Sequence, residues 1–382
     1  MSKNKPPRKR AKRPIGIVCW GPIETLSNGY FIRVYSLTEA ISKHLRRPVI
    51  VVEYDEQNLQ KPYSKEILKD VYAILVHVPG NEKYLHITLA RYPRFVLYQI
   101  INTIRLVKLF TNLDAVIIGG ELFVVSSLLL KLLTKDTAII ADPHMLLSER
   151  EHRRGRKLIS YILKILEKIY FRMSDYIIAI SNDMKYKITS IFNINSKKII
   201  VIPHMLPSHL SEISEKKTCN ERIQERTNDV KLAFVGTFEA NQNLEAAIFL
   251  ILTLSIILSI IKKNIKLLLI GKISDTKRKL LKDIATRLGV SKNVEITGYV
   301  DHLDNILCNA DILLAPMFTM SGVSTKMLYY LRFKNKIILA SREAIEGLGY
   351  LIRKHGNVVV AEDPTDFVIK LARVIKNVKD KN

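Results

Sequence analysis

Acidic residues and cysteines are scarce in this sequence of 382 residues. Its three cysteines, Cys19, Cys219 and Cys308, have none of the spacings that are typical of a metal site or a redox pair. A Walker loop and a carboxylate cluster for paired metal ions are also missing from the sequence. These absences exclude a zinc-finger or CxxC redox function and the P-loop mode of nucleotide binding.

The deficit of acidic residues leaves a formal net charge of +24, because 60 lysines and arginines face 36 aspartates and glutamates. Such a charge indicates an anionic partner, which could be a membrane surface, a nucleic acid or a phosphorylated substrate. A genomic bias toward lysine and isoleucine is an alternative that needs no partner. Nucleic acid is the least favoured partner, because the sequence has no aromatic stacking platform, zinc spacing or basic-helix array.

Long hydrophobic runs are missing as well. The longest candidate, 246–261, has 13 apolar residues of 16, but a helix of that length reaches only about 24 Å of a hydrocarbon core of about 30 Å. It is therefore predicted to be a core helix and not a membrane span. The basic start is followed by an apolar run of only six residues, Ile15–Trp20, so no secretory signal is predicted. We expect a cytoplasmic protein that can make peripheral contact with the inner face of an anionic cell membrane.

The order of apolar and polar segments predicts two domains of the α/β class. Residues 1–14 are basic and are predicted to form a disordered tail. Short β-branched runs then alternate with longer helical segments over 15–207 and again over 230–382. This pattern is typical of doubly wound, Rossmann-like domains with parallel sheets. The polar segment 208–229 is predicted to link them, and two such domains in tandem usually face a cleft at the carboxyl ends of their strands.

The boundaries of the predicted elements follow these alternating runs. Strands are predicted at 15–20, 48–54, 72–78, 114–119, 137–141, 175–180, 198–202, 231–237, 265–271, 294–297, 311–316, 336–340 and 357–361. Helices of the first domain are predicted at 31–45, 94–110, 122–133, 157–172 and 182–192, and the last helix of the chain at 365–378.

The segment from Ser321 to Tyr330 is the strongest candidate site. It follows the predicted strand 311–316 and leads into helical periodicity at Lys326, with small residues between them. The unpaired N–H groups of a helix N-terminus and one ammonium group together attract an anion, and a diphosphate would fit there. An ordinary strand–helix turn is the alternative interpretation.

Further candidate ligand-binding positions lie at the end of the first predicted strand of the second domain and after the first predicted strand of the first domain. Gly236 and Thr237 end the strand 231–237, where the glycine lets a ligand approach the backbone and the threonine offers a hydroxyl and an N–H group. Gly29 precedes the first helix and would leave space for a phosphate at its N-terminus. Each glycine is also consistent with an ordinary turn or helix cap.

Asp142 and His144 follow another predicted strand of the first domain. Because functional groups collect at the strand ends of parallel α/β sheets, both side chains are predicted to project into the cleft. A histidine there can hydrogen-bond substrate hydroxyls or move a proton near neutral pH. The alternative is that Asp142 caps the following helix and His144 lies on the surface.

A basic cluster, residues 150–157, precedes the predicted helix 157–172. The cluster and the cationic tail would suit anionic lipid headgroups. The helix itself has an apolar stripe that is predicted to be buried. The stripe consists of Leu158, Ile159, Ile162, Leu163, Leu166 and Ile169.

In their order, these segments resemble the retaining nucleotide-sugar glycosyltransferases of the GT-B fold, a family often called glycosyl transferases group 1 or family four. The similarity extends over nearly all of residues 15–378 and rests on six motifs in the family's order. They are Asn28-Gly-Tyr-Phe-Ile-Arg33, Asp142-Pro-His144, Ser174-Asp-Tyr-Ile-Ile-Ala-Ile-Ser181 with Val201-Ile-Pro203, Val235-Gly-Thr-Phe238 with Asn243, Val294-Glu-Ile-Thr-Gly298, and Ala310-Asp-Ile-Leu-Leu-Ala-Pro316.

The resemblance implies a nucleoside diphosphate-sugar donor on the second domain and a lipid-linked or cell-surface glycan acceptor on the first. Lys326 and backbone N–H groups would stabilise the leaving diphosphate, and His144 would contact the reacting sugar. No metal or other cofactor is implied, which fits the lack of an Asp-X-Asp pair. The donor would also contact Gly29, Gly236, Thr237, Ser321, Gly322, Val323, Ser324, Thr325 and Tyr329.

Two positions depart from the family's pattern. Members commonly have two glutamates eight positions apart around this loop, the first near the sugar and the second on the nucleotide ribose. Ser321 and Tyr329 stand at these positions, and neither can accept two hydroxyls as a carboxylate does. The basic residue that many members carry between Gly236 and Asn243 is missing too. A second hypothesis is therefore a non-catalytic GT-B subunit that binds a partner enzyme or an anionic membrane.

Overall fold

The computed structural model describes residues 13–21, 23–25, 29–55, 63–77, 92–120, 123–208, 229–319, 323–353 and 355–378. The predicted basic tail, 1–14, and the predicted linker, 208–229, lie almost wholly outside the described residues. The chain forms two compact units. The first comprises Met1–Pro143, Ile165–Ala179 and Thr189–Ile200, and the second comprises His144–Lys164, Ile180–Ile188 and Val201–Asn382.

An eight-stranded sheet is the centre of the first unit. Its strands are β1 (Ile15–Trp20), β2 (Val49–Asp55), β3 (Tyr63–Leu68), β4 (Val71–His77), β5 (Ala115–Gly119), β6 (Ala138–Asp142), β7 (Tyr176–Ala179) and β8 (Ile199–Val201). They lie in the order β3-β4-β2-β1-β5-β6-β7-β8. From β4 to β7 every pairing is parallel, which fits the continuous apolar strands, since all six residues of β1 are buried.

The edge strand β3 was not predicted. It pairs antiparallel with β4 after a turn in which Asp70 has a φ of +63°. Its sequence, Tyr-Ser-Lys-Glu-Ile-Leu, lacks a continuous apolar run, and none of its described side chains is buried. A strand at the edge of a sheet needs no such run, because one side of its backbone and most of its side chains stay in solvent.

A six-stranded parallel sheet is the centre of the second unit. Its strands are β9 (Val230–Val235), β10 (Ile265–Ile270), β11 (Val294–Gly298), β12 (Ile312–Ala315), β13 (Ile337–Ser341) and β14 (Val358–Ala361). They lie in the order β11-β10-β9-β12-β13-β14, and all of these pairings are parallel. Strands β10 and β11 lie on one side of β9, and the later strands β12, β13 and β14 lie on the other. The sheet is therefore doubly wound, as predicted.

The helices follow the predicted alternation with two differences. The predicted helix 94–110 is divided at Leu106, and a helix after residue 146 was not predicted. In chain order the helices are α1 (Gly29–Leu45), α2 (Tyr92–Arg105), α3 (Val107–Phe110), α4 (Val124–Leu133), α5 (Leu147–Arg153), α6 (Lys157–Met173), α7 (Asn182–Phe192), α8 (Asn241–Ile260), α9 (Asp275–Arg287), α10 (Leu303–Asn309), α11 (Thr325–Tyr330), α12 (Gly349–Ile352) and α13 (Pro364–Asn377).

Of the helices in the described part of the chain, only α8 is long and apolar enough to cross a membrane. Length and composition are weak grounds for a span, because the core helix of a soluble domain passes the same test. One face of α8 lies in the hydrophobic core of the second unit, through Leu250, Leu254 and Ile257. The predicted core helix is thereby confirmed.

Candidate functional site

Lys326 points inward, toward the carboxyl end of β9. Its Nζ atom lies 2.8 Å from Oδ1 of Asn243 and 3.1 Å from the sulfur of Met317. The amine also lies 4.1 Å from the centroid of the Phe234 ring, where the electron-rich face attracts a cation. These three partners come from the end of β9, the start of α8 and the loop after β12, so the sheet topology fixes the position of the amine.

The short helix α11 is anchored so that Lys326 keeps this direction. The hydroxyl of Tyr330, which is fully buried, accepts a hydrogen bond of 2.9 Å from the backbone N–H of Val235. This bond ties the last residue of α11 to the last residue of β9. The first turn of the helix therefore lies beside the strand end.

Burial lowers the pKa of Lys326 to about 7. No carboxylate among the described residues contributes to this pKa, so the ammonium has a hydrogen-bond acceptor in Asn243 but no counter-charge there. A phosphate oxygen at this position would favour the charged form and would supply the missing negative charge.

Gly236 and Thr237 are held against Asn243. The Nδ2 group of Asn243 donates a hydrogen bond of 2.8 Å to the carbonyl of Thr237. A Cβ atom at position 236 would lie only 2.7 Å from Cγ of Asn243, so only glycine leaves room for that carboxamide. A Cβ atom at Gly271, whose φ is +138°, would lie 2.1 Å from the carbonyl oxygen of Gly236. Two glycines on neighbouring strands therefore allow the close packing of this loop.

The predicted phosphate-binding loop, residues 321–325, is described only in part, because Ser321 and Gly322 lie outside the described residues. Val323 is half-buried. Ser324 immediately precedes α11, and its buried hydroxyl has no hydrogen-bond partner within the described part of the chain. Thr325 begins the helix, so its N–H group and that of Lys326 have no acceptor within the helix. The loop thus brings a hydroxyl and two amides to one helix start.

Tyr329 uses its hydroxyl inside the protein. The hydroxyl donates to Oδ1 of Asp304, and the guanidinium of Arg332 lies 4.6 Å from the ring centroid and 3.4 Å from Oδ2 of Asp304. Burial, together with the neighbouring Asp304 carboxylate, raises the pKa of Tyr329. The position at which the family resemblance implied a glutamate is therefore occupied by a hydrogen-bonded phenol.

In the first unit, Gly29 is the first residue of α1. The adjacent Tyr30 fixes this helix start, because its hydroxyl donates to the carbonyl of Gly119 at 2.8 Å and accepts from the N–H of Trp20 at 3.1 Å. Burial raises the pKa of Tyr30 well above its usual value, so the phenol stays protonated. The helix begins where β1 and β5 end.

The prediction that Asp142 projects into a cleft is wrong. Its carboxylate is 1% exposed and forms an ion pair of 3.0 Å with Arg33 of α1. The Asp142 backbone N–H donates to the hydroxyl of Tyr170 at 3.1 Å. Asp142 is therefore a structural residue that joins β6 to α1. His144 lies two residues beyond the end of β6 and is half-buried.

The basic cluster at 150–157 is partly neutralised. Arg150, Arg154 and Arg156 lie 2.9, 3.6 and 3.2 Å from the carboxylate of Glu151. Arg153 lies 2.6 Å from Glu149. These side chains were predicted to be available to lipid headgroups, but local carboxylates already pair with four of them.

Two family models match the chain. The model for glycosyltransferase family 4 matches residues 28–207, and the model for glycosyl transferases group 1 matches residues 229–377. The chain belongs to this family of glycosyltransferases. An uncharacterized glycosyltransferase of Methanocaldococcus jannaschii is 25% identical to it in an alignment of 343 positions that covers 84% of each chain.

Solved structures share the fold of this glycosyltransferase. Sucrose-phosphate synthase from Thermosynechococcus elongatus matches with a TM-score of 0.74 and 14% identity, over 96% of this chain and 90% of that one. HepE from Anabaena, solved in complex with UDP and glucose, matches with a TM-score of 0.65 and 11% identity, over 97% and 91%. The GT-B fold predicted from the sequence is confirmed.

Four residues around the candidate site of this glycosyltransferase were missed in the sequence. In the sequence, Phe234 looks like an ordinary core residue of β9 and Met317 like an ordinary apolar residue after β12, and only the pairing of these two strands brings them to one lysine. Asp304 and Arg332 are 28 positions apart, a separation at which no local pattern predicts contact. For Phe234 and Met317 the only signal in the sequence was their position at or just beyond the end of an apolar strand.

Proposed function

We propose that this glycosyltransferase is a hexosyltransferase that moves a sugar from a nucleoside diphosphate-sugar to a lipid-linked or cell-surface glycan acceptor, with retention of the anomeric configuration. Its family supports glycosyl transfer, and a structural neighbour was solved with UDP and glucose. The observation that carries the proposal is the inward-pointing amine of the half-buried Lys326, which lies at a strand end with no carboxylate partner among the described residues.

In this proposal the leaving diphosphate binds at the start of α11. The bond between the anomeric carbon and a diphosphate oxygen breaks, the acceptor oxygen bonds to the same face of that carbon, and the acceptor hydroxyl gives its proton to the departing diphosphate. Negative charge grows on the diphosphate in the transition state, so a cation and oriented N–H groups accelerate the step. Lys326 supplies the cation, Thr325 an amide and Ser324 the buried hydroxyl.

The remaining predicted residues have supporting positions in the proposal. Gly236 and Gly29 let the donor approach the backbone, Thr237 offers a further polar group, and His144 contacts the reacting sugar. Ser321, Gly322 and Val323 complete the phosphate-binding loop in this proposal, and Tyr329 belongs to the donor site beside it. We also propose that no metal ion is required, because the lysine and amides take its place; transfer that stops in EDTA and returns with a divalent cation would contradict this.

A nucleotide scan tests the donor site directly. UDP, GDP and their sugars are added to the full chain, and thermal unfolding is followed. A ligand that binds only the folded state at 100 times its Kd stabilises it by about 2.7 kcal/mol, so one nucleotide family is expected to raise Tm by several degrees. Radiolabelled sugar transfer to extracted lipids then tests the acceptor class.

The second candidate function is that of a non-catalytic GT-B subunit. It is favoured by the hydrogen bond between Tyr329 and Asp304, because that phenol offers no carboxylate to a ribose. A Tm that stays unchanged with every nucleotide, in a protein that is folded by circular dichroism, would support this role and would contradict the proposed donor site.

A further inference from the structure

Helix α6 (Lys157–Met173) exposes an apolar face. Leu158 is 74% exposed, Tyr161 65%, Ile162 37% and Ile165 45%. The spacings of three and four residues place these side chains on one side of the helix. Leu158 and Ile162 were predicted to be buried, and the structure shows that this prediction is wrong.

The opposite side of α6 packs against the protein. Tyr170 and Phe171 are fully buried, Glu167 is buried, and the hydroxyl of Ser160 donates to the carbonyl of Ser148 at 2.8 Å. The helix therefore has an inner side that packs against the protein and an outer side that carries the exposed apolar residues. Its inner side is already covered, whereas no described part of the chain covers the outer stripe of exposed apolar residues.

Four cations lie beside this outer stripe. Lys157, Lys164, Lys168 and Arg172 are exposed, and none of them forms an ion pair with the residues that the structure describes. The helix has one acidic residue, Glu167, which is buried. The exposed side of α6 thus combines apolar side chains with charged side chains that are all cationic. In the neighbouring segment 149–156, by contrast, the arginines are paired with nearby glutamates.

We propose that the exposed face of α6 binds the surface of an anionic lipid bilayer, with the helix in the plane of the interface. Apolar side chains would enter the boundary between headgroups and acyl chains, while lysine stems extend alongside them and their ammonium groups contact lipid phosphates. Each basic residue near an anionic bilayer adds to the attraction. Tyr161, with an apolar ring and a polar tip, suits that interface.

Charge favours a bilayer over a second copy of this chain. In a symmetric dimer the same face meets itself, which would bring Lys164, Lys168 and their equivalents together without an acidic partner. An anionic bilayer supplies the opposite charge and the apolar phase at once. The inference does not depend on the proposed donor or on sugar transfer, because vesicle binding is measured without either.

Vesicle sedimentation tests the inference. The full chain is mixed with vesicles of phosphatidylcholine alone or with added phosphatidylglycerol, and the bound fraction is measured. One variant removes apolar contacts (Tyr161→Ser with Ile165→Ser) and another removes charge (Lys164→Gln with Lys168→Gln). Binding to the anionic vesicles is expected to fall about tenfold or more in each variant.

Matched controls come from α9, which also has exposed lysines and an exposed leucine. Lys279→Gln with Lys282→Gln removes the same number of charges elsewhere, and Leu280→Ser removes one exposed apolar side chain; binding is expected to change less than about twofold in each. Thermal unfolding of every variant confirms that it is folded. The inference is overturned if the α9 variants lose binding equally, or if the wild type binds both vesicle types alike. It is also overturned if sedimentation velocity shows self-association that only the α6 variants abolish while vesicle binding persists.

Discussion

The amine of Lys326 lies 2.8 Å from the side-chain oxygen of Asn243. An amide oxygen accepts a hydrogen bond without neutralising a cation, so the lysine charge stays available to an anionic ligand. The same carboxamide donates to the carbonyl of Thr237 at 2.8 Å. One asparagine therefore links the cation to the loop that follows β9.

Replacement of Lys326 by methionine separates ligand binding from folding. Methionine keeps the apolar stem but removes the charge. The Kd for a nucleoside diphosphate is therefore expected to rise about tenfold or more, as for the loss of a hydrogen bond to a charged group. Stability without ligand is expected to stay equal or rise, because the desolvated ammonium is gone. Nucleotide titration by thermal shift and by calorimetry measures both.

The control is Lys370→Met in the same compact unit, where the amine lies 2.6 Å from Asp366 on one helix face. Its removal is expected to leave nucleotide binding unchanged. Wild-type affinity in the Lys326 variant would remove this residue from the donor site.

Stability is expected to rise with pH through the titration of Lys326. Burial lowers the pKa of this lysine to about 7 in the folded state, whereas an unfolded lysine has a pKa of about 10.4. Between these values the unfolded chain binds the extra proton and folding must release it, so raising the pH lowers the cost of that release by at most about 1.4 kcal/mol per pH unit. Urea unfolding of the wild type and of Lys326→Met at several pH values above neutrality gives the difference. An identical pH dependence in the two proteins would contradict the lowered pKa.

Asn243→Asp is expected to weaken nucleotide binding more than it weakens folding. The new carboxylate would pair with Lys326 and raise the pKa of its amine, but it would also repel a diphosphate and lose the donor to Thr237. Calorimetric titration against Asn243→Ala distinguishes the two effects, since alanine loses both hydrogen bonds without adding charge. Stronger nucleotide binding in the aspartate variant would contradict a phosphate site here.

Gly236→Ala is expected to destabilise the second unit by about 1–3 kcal/mol, as overpacking does. The new Cβ atom would displace the Asn243 carboxamide, because it would lie 2.7 Å from Cγ of that side chain, and nucleotide binding would weaken with it. Gly356→Ala is the matched control, because nothing lies within 4 Å of the position that its Cβ atom would occupy. Chemical denaturation measures both variants, and equal effects would contradict the steric argument.

In the buried pair of Arg33 and Asp142, removing one partner is expected to lower the free energy of unfolding more than replacing both. Asp142→Ala leaves the guanidinium buried without its counter-ion and is expected to cost about 3–5 kcal/mol. The double change Arg33→Met with Asp142→Leu is expected to recover most of that loss. Arg342→Ala, which breaks the exposed pair with Glu362, is expected to cost less than about 1 kcal/mol. Urea unfolding of the four proteins tests this, and a tolerated Asp142→Ala would contradict it.

The sequence predicted most of the sheets because buried parallel strands need continuous apolar residues. It failed at β3, where an edge position permits polar residues, and at α6, where an apolar stripe on the outer face looked like a core stripe. In the candidate site the lysine and the glycines were visible as local motifs. Asp142 looked equally functional, since a strand-end carboxylate has the same sequence context whether it faces solvent or an arginine.

What the sequence determined by itself was the alternation of strands and helices, the family motifs and the presence of a lysine at the start of α11. These depend on local periodicity and on residues close together in the chain. Tertiary structure alone decided that Asn243, Met317 and Phe234 surround that lysine, that Arg33 neutralises Asp142, and that α6 turns an apolar face outward. Each of these depends on contacts between distant segments, which parallel strand order and burial establish only when the chain is folded.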